Sequence, residues 1–271
     1  MRNIYQLAGT QRMIEGRHGN FIYNHNDLFV GKALELYGEY GEHEVQLFEQ
    51  LVRSESVVIE VGANIGSQTI ALSRLVGERG LVYAFEPQPI IFQNLCANLS
   101  VNSLKNVRAF PFACGDSSGY VTIPAIDYES EGNFGGVSMQ VGKEEGEVVT
   151  LVKLDSWFEA NNVSLIKIDV EGMEQSVISG LEKTIDRCKP FIYVENDRVN
   201  NAEALIEFIW SLSYKCYWHT PTLYNKNNYY NNDKDIYKNI ISVNMLCIHE
   251  SGPEVNGLNL IIDAKDHPFK K

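Results

Sequence analysis

Very little in this 271-residue chain would take it outside the ordinary globular class. It has no run of about 18 apolar residues, so no segment reads as a membrane-spanning helix and no membrane insertion is expected. The opening stretch MRNIYQLAGTQRMIEGRHGN lacks the apolar core of a secretory signal, which predicts a cytoplasmic location. It also lacks any Lys/Arg-rich run. With 23 basic and 35 acidic residues the formal charge is −12, and a nucleic-acid backbone would be repelled over most of such a surface. The five cysteines (Cys96, Cys114, Cys188, Cys216 and Cys247) have neither C-x-x-C nor zinc-type spacing and read as reduced thiols.

What is present is an alternation of strand and helix signals. Residues 1–52 read as an N-terminal helical cap, because Val45, Leu47, Phe48, Leu51 and Val52 recur at helical spacing. Short β-branched runs follow at SVVIEVG (56–62), GLVYAFEP (80–87), NVRAFPFACGD (106–116), SLIKIDV (164–170) and PFIYVEN (190–196), separated by helical patterns. YKCYWHT (214–220) and ISVNMLCIHE (241–250) close the series with no helix between them, so they should pair antiparallel. Residues 53–250 therefore predict one α/β domain, a doubly wound, mostly parallel, seven-stranded Rossmann-like sheet ending in an antiparallel hairpin. Two insertions break the pattern, 117–163 with its β-like runs GYVTIPAI and EVVTLVKL, and the Asn- and Tyr-rich 221–240. Both are expected to face substrate, with NFGGVS (133–138) bending over the site. The tail, 251–271, carries no motif.

The first strand runs into a glycine turn, Glu60-Val-Gly62-Ala63-Asn64-Ile-Gly66-Ser67. Asn64 stands where a dinucleotide fingerprint needs its second glycine, and no Lys-Ser/Thr pair follows, so neither NAD, FAD nor a P-loop nucleotide fits. The next strand ends Glu86-Pro87, where a carboxylate can take both hydroxyls of a ribose. The third ends Cys114-Gly115-Asp116, with Asp116 placed to reach an adenine amino group. Ribose and adenine recognition without pyrophosphate recognition points to S-adenosylmethionine, with Glu60 available to the ammonium of its amino-acid tail or to the turn itself.

Carboxylates also gather where the fourth and fifth strands run out. Asp169 should lie beside the transferred methyl group, Glu171 follows, and Glu195 ends the fifth strand; His219 ends the sixth. Asp169, Glu195 and His219 are the candidates for removing the proton of an acceptor hydroxyl. Asp169, Glu171 and Glu195 could instead hold Mg²⁺ or another hard divalent cation against the acceptor oxygen. Asp169 has a third reading, as partner of the cofactor's amine. Glu174 reads as helix-start electrostatics.

The set VIEVGANIGSQT, YAFEPQP, LCANLSVNSLKNVRAFPFACGD, LDSW and IKIDVEGMEQSVISG, with YVEN and SVNMLCI, resembles the FkbM family of S-adenosylmethionine-dependent methyltransferases over about residues 37–250. Two positions depart from its usual pattern: Glu60 where Asp is common, and His249 where Pro often ends the last strand. The resemblance implies a class I methyltransferase fold and O-methylation of a sugar or natural-product hydroxyl, with a small-molecule or glycan acceptor as partner. N-methylation, a protein acceptor, and a non-catalytic nucleoside-binding module are the other readings of the same motifs. Self-association into a homo-oligomer is compatible with the sequence.

Overall fold

The computed structural model describes residues 3–138 and 145–270. The N-terminal segment departs from the helical cap expected of it. Strands β1 (Tyr5–Gln6), β2 (Gln11–Gly16) and β3 (Gly19–Asn24) form an antiparallel sheet in that order before helices α1 (Val30–Tyr37) and α2 (Glu42–Leu51). Alternation along the β2–β3 hairpin turns Ile14, Phe21 and Tyr23 inwards. The sheet lies on the fourth helix of the chain, where the Asn98 side chain accepts from the Ile22 amide at 2.6 Å and donates to its carbonyl at 3.0 Å.

The main domain continues as β4 (Val57–Val61), α3 (Thr69–Val76), β5 (Leu81–Phe85), α4 (Pro89–Val101), β6 (Val107–Phe110), β7 (Ala113–Cys114), β8 (Gly119–Ile123), β9 (Glu147–Val152) and α5 (Leu154–Trp157). It ends with β10 (Val163–Ile168), α6 (Glu174–Ser179), α7 (Glu182–Cys188), β11 (Phe191–Glu195), α8 (Val199–Ser211), β12 (Tyr214–His219), β13 (Asn244–His249) and β14 (Asn259–Leu260). The central sheet runs β14-β12-β13-β11-β10-β4-β5-β6. Strands β6, β5, β4, β10 and β11 are parallel, and β13 pairs antiparallel with both β11 and β12, which is the expected terminal hairpin. The sheet has eight strands and not seven, because the tail returns to add β14 beside β12.

Two expected elements are divided. The 106–116 run breaks after Phe110 because Pro111 has no N–H to give to a ladder. Its second half, β7, leaves the central sheet and pairs with β9 of the insertion, in a small sheet ordered β7-β9-β8. The helix after β10 is two short helices, α6 and α7, separated at Gly180-Leu181.

Period-two alternation explains the three layers. Ile59, Val61, Phe85, Ile166, Ile168, Ile192 and Val194 face one way, onto Val177 and Ile178 of α6, Ile185 of α7 and Leu205, Ile206 and Ile209 of α8. Val58, Val82, Ala84, Leu165, Tyr193 and Leu246 face the other, onto Phe48 of α2, Leu72 and Val76 of α3 and Leu95 of α4. Phe48 and Tyr193 meet edge to face with centroids 5.0 Å apart. Strand order reverses between the parallel neighbours β4 and β10, so a crevice opens at their carboxyl ends, the place where open α/β sheets bind ligands.

Candidate active site

The crevice begins at Gly62. Its φ is +83°, and a Cβ there would stand 1.8 Å from the Asp169 carbonyl oxygen. Only glycine lets the end of β4 lie this close to the end of β10. The Gly62 and Ala63 amides donate to the Phe85 carbonyl at 2.9 and 3.0 Å, and Asp169 N–H donates to the Val61 carbonyl at 3.0 Å. The turn is thus tied to both neighbouring strands before any side chain contributes. Glu86 then completes it, its two carboxylate oxygens accepting from the Asn64 and Gln88 amides, each at 2.9 Å. Burial outweighs those two amides and pushes the Glu86 carboxyl up to about 7.

Behind the turn is a buried charge cluster. Glu60 has no solvent exposure; one oxygen accepts from Thr69 Oγ1 at 2.6 Å, and the other, Oε1, has no hydrogen-bond partner. Lys167 Nζ sits 3.7 Å from that oxygen and 3.3 Å from both Asp169 Oδ2 and the Gly62 carbonyl. Burial alone would lower the Lys167 ammonium, but Asp169, Glu60 and Glu44 prevail and hold it above its ordinary value. Glu44, from α2, accepts from Gln68 Nε2 at 2.7 Å and Asn244 Nδ2 at 3.3 Å. Tyr40 stands among these carboxylates. Burial, then the charges of Asp169, Glu44 and Glu195, hold its phenol protonated.

The far wall is acidic as well. Burial, reinforced by Asp169, Asp197 and Glu171, pushes the Glu195 carboxyl up to about 10, and its Oε2 has no hydrogen-bond partner. Glu171 is engaged by Arg198 at 2.7 Å; the same Nη2 donates to Ser138 Oγ at 2.7 Å, fastening the end of the NFGGVS loop to the turn after β10. Further back, Phe134 is buried and its carbonyl accepts from Gln88 Nε2 at 2.9 Å.

These groups enclose a cavity of about 250 Å³. Glu60, Gly62, Ala63, Asn64, Ser67, Glu86, Asp169, Glu171 and Glu195 all line it, as do Asn133, Gly135 and Gly136 of the loop and Leu223 and Ile240 from the second insertion. The rest of 221–240 is anchored to the N-terminal segment. Asn225 Nδ2 donates to Glu39 at 2.7 Å, and Tyr37 OH donates to the Lys234 carbonyl at 2.8 Å, clamping the insertion to α1 and the segment after it.

Several expected residues lie elsewhere. His219 does end β12 at the right edge, but on the α2 face of the sheet, where Tyr193 OH meets its Nδ1 at 2.8 Å and the ring lines a separate pocket with His43 and Pro221. Burial, then the neighbouring His43, lowers it to about 4. Cys114, Gly115 and Asp116 left the central sheet with β7. Cys114 is a buried thiol pushed well up by burial, Gly115 N–H donates to the Val152 carbonyl, and Asp116 is exposed, its amide donating to Ser176 Oγ. Gly66 and Pro87 shape the turn from behind without lining the cavity. Glu174 does lie at a helix start, as expected, and its carboxylate accepts from the Gly172 amide at 2.7 Å. Among the described residues no group of three or more His, Cys, Asp or Glu side chains could hold a metal ion. Asp169 and Glu171 already face Lys167 and Arg198, so the donor set does not fit Mg²⁺. Cavity groups without a role in the sequence pattern include Tyr40, Glu44, Lys167 and Asp197.

A five-strand parallel sheet extended by an antiparallel hairpin, with a glycine turn after its first strand and a carboxylate after its second, defines the class I methyltransferase fold. A solved S-adenosylmethionine-dependent O-methyltransferase from Thermotoga maritima superposes with a TM-score of 0.50 at 12% identity, covering 90% of this chain and 79% of that one. The model of the methyltransferase FkbM domain matches residues 60–216, and the chain belongs to that family. Among curated relatives, the hexuronic acid methyltransferase AglP of Haloferax volcanii is 26% identical over 159 residues, 57% of this chain and 62% of that protein. The 2-O-methyltransferase NoeI of Sinorhizobium fredii is 23% identical over 166 residues, 55% of this chain and 67% of that protein. The match to the first thus spans less than two thirds of its length. Among the described residues no helix is long and apolar enough to cross a membrane.

Proposed function

We propose that this chain is an S-adenosylmethionine-dependent O-methyltransferase acting on a hydroxyl of a saccharide or small natural product. One observation carries the reading. Two buried carboxylate oxygens, Glu60 Oε1 and Glu195 Oε2, lack hydrogen-bond partners around a cavity at the switch point of the sheet. Buried polar atoms are rarely left unpaired, and these call for a ligand bearing donors or positive charge. The cofactor has an ammonium, a sulfonium and two ribose hydroxyls, so the donor set fits it. The names of the two relatives, one a hexuronic acid methyltransferase and one a 2-O-methyltransferase, favour a sugar acceptor.

In this reading Glu86 takes the ribose hydroxyls, since each of its oxygens uses one lone pair on a backbone amide and keeps another. Glu60, Lys167 and the Gly62–Ser67 turn form the floor under the amino-acid tail. When bound, the cofactor supplies a methyl group on a sulfonium that is already a good leaving group. The chain must then align the acceptor oxygen and take its proton. Asp169 is suited to the second task. Its side chain is 48% exposed and opens into the cavity, while Lys167 at 3.3 Å steadies its charge. Glu195, protonated until positive charge reaches it, is a neutral donor toward the acceptor.

The test is methyl transfer from labelled cofactor to a panel of sugars and small alcohols, with Asp169→Asn beside wild type. The expected result is transfer by wild type and a turnover about 10²–10⁴-fold lower in the variant, with cofactor affinity nearly unchanged. Wild-type turnover in the variant would remove Asp169 as the base. Failure of the wild type to bind the cofactor at all would remove the whole reading.

A further inference from the structure

The cavity is lopsided in charge. Among the described residues that line it, Lys167 is the only cation, and it is committed to Asp169, Glu60 and the Gly62 carbonyl. The nearest guanidinium, Arg198, does not line the cavity and is held by Glu171 and Ser138. Against this stand Asp169, Glu171 and Asp197 on the wall at the ends of β10 and β11, with the Glu195 carboxyl among them neutral until positive charge approaches. Asp197 is exposed and has no ion-pair partner among the described residues, and Glu195 Oε2 is buried with no donor facing it. The bound cofactor, with two positive groups and one carboxylate, offsets one net charge of this set.

From this asymmetry we infer the acceptor class: a neutral or, preferentially, amine-bearing sugar, and not one that carries a carboxylate or phosphate beside the reacting hydroxyl. The inference rests on the methyltransfer reading above and narrows it. It also separates this chain from its relative named for hexuronic acid. A uronate in this crevice would place a second anion beside Asp169 and Asp197 with no free lysine or arginine among the described residues to receive it. Like-charge contacts of that kind select against a partner far more strongly than they reduce binding to the right one. A protonated amine would find Glu195 Oε2 and Asp197 unclaimed.

The test uses matched triplets of methyl glycosides (glucoside, glucosaminide and glucuronide, then the corresponding galacto and manno sets) with the full chain and labelled S-adenosylmethionine, after cofactor binding is confirmed by calorimetry. In at least one set kcat/KM for the uronide should lie at least ~10-fold below the neutral glycoside, with the amine at or above it, and high salt should compress both differences. Asp197→Asn, a change at an exposed side chain, should narrow the neutral-to-uronide ratio about 3-fold. A uronide that matches or exceeds the neutral sugar overturns the inference. So does a chain that binds the cofactor yet methylates no member of any set. Absence of cofactor binding itself would instead remove the methyltransfer reading on which the inference rests.

Discussion

Lys167→Met probes the charge cluster beneath the glycine turn. The ammonium lies 3.7 Å from a Glu60 carboxylate that has no exposure and an oxygen with no hydrogen bond. At an effective dielectric of about 20, that separation is worth roughly 4–5 kcal/mol of attraction. Asp169, at 3.3 Å, adds less than its distance implies because its side chain is half exposed. Removing one member of a buried pair leaves the other charged and dry, at a cost of about 3–5 kcal/mol. For a chain of this size that lowers the thermal midpoint by something on the order of 10 °C. Glu60→Gln together with Lys167→Met should recover part of the loss, because no orphaned charge then remains. The pH dependence follows from the same site. Burial already raises the Glu60 carboxyl despite Lys167, and without the lysine it rises further. A raised folded-state value favours the protonated form, so the deficit of Lys167→Met should be small near pH 5 and grow as pH rises above the ordinary carboxylate range. Urea unfolding at several pH values reads both effects. A single variant within ~1 kcal/mol of wild type at pH 8 would refute the account of this cluster.

Other perturbations have clear directions. Gly62→Ala puts a Cβ against the Asp169 backbone at positive φ and should cost more than about 4 kcal/mol, seen as loss of folded protein by circular dichroism. Glu195→Gln removes a carboxyl whose folded value of about 10 lies far above the ordinary ~4.3. Wild type therefore loses stability relative to the variant as pH climbs through that window, and the two should coincide at pH 5 and separate by pH 9 in urea midpoints. His219→Ala should leave methyl transfer within about 2-fold of wild type, since the ring faces α2 and not the cavity.

The sheet was legible because its central strands are short β-branched runs bounded by glycine or proline, and burial on both faces makes such runs continuous. Glu60, Gly62 and Glu86 were legible for the same reason, being at strand ends in a parallel series. The N-terminal hairpin is less legible: QRMIEG and GNFIYN alternate only in part around Arg17-His18, and the helical periodicity of 37–52 is the stronger signal in the segment. Asp116 was misplaced by a single proline. Pro111 ends the strand, so everything after it belongs to another sheet. His219 shows a different limit: its position along the strand was right, but which face a side chain takes depends on register. Lys167 had a signal that went unused, a lone cation in the otherwise apolar SLIKI run, which a buried strand tolerates only beside partners of opposite charge. Tyr40 and Glu44 had none, because their place at the site depends on where α2 docks.

Glu86 gives the most direct test of the central claim that this crevice holds S-adenosylmethionine. Calorimetric titration of the cofactor at about pH 8.5, above the Glu86 value of about 7, into wild type and Glu86→Gln, with matched unfolding midpoints as control, should show saturable binding by wild type and at least ~10-fold weaker binding by the variant, because the charged acceptor of the ribose hydroxyls is lost. No binding by wild type, or equal binding by both, would contradict it.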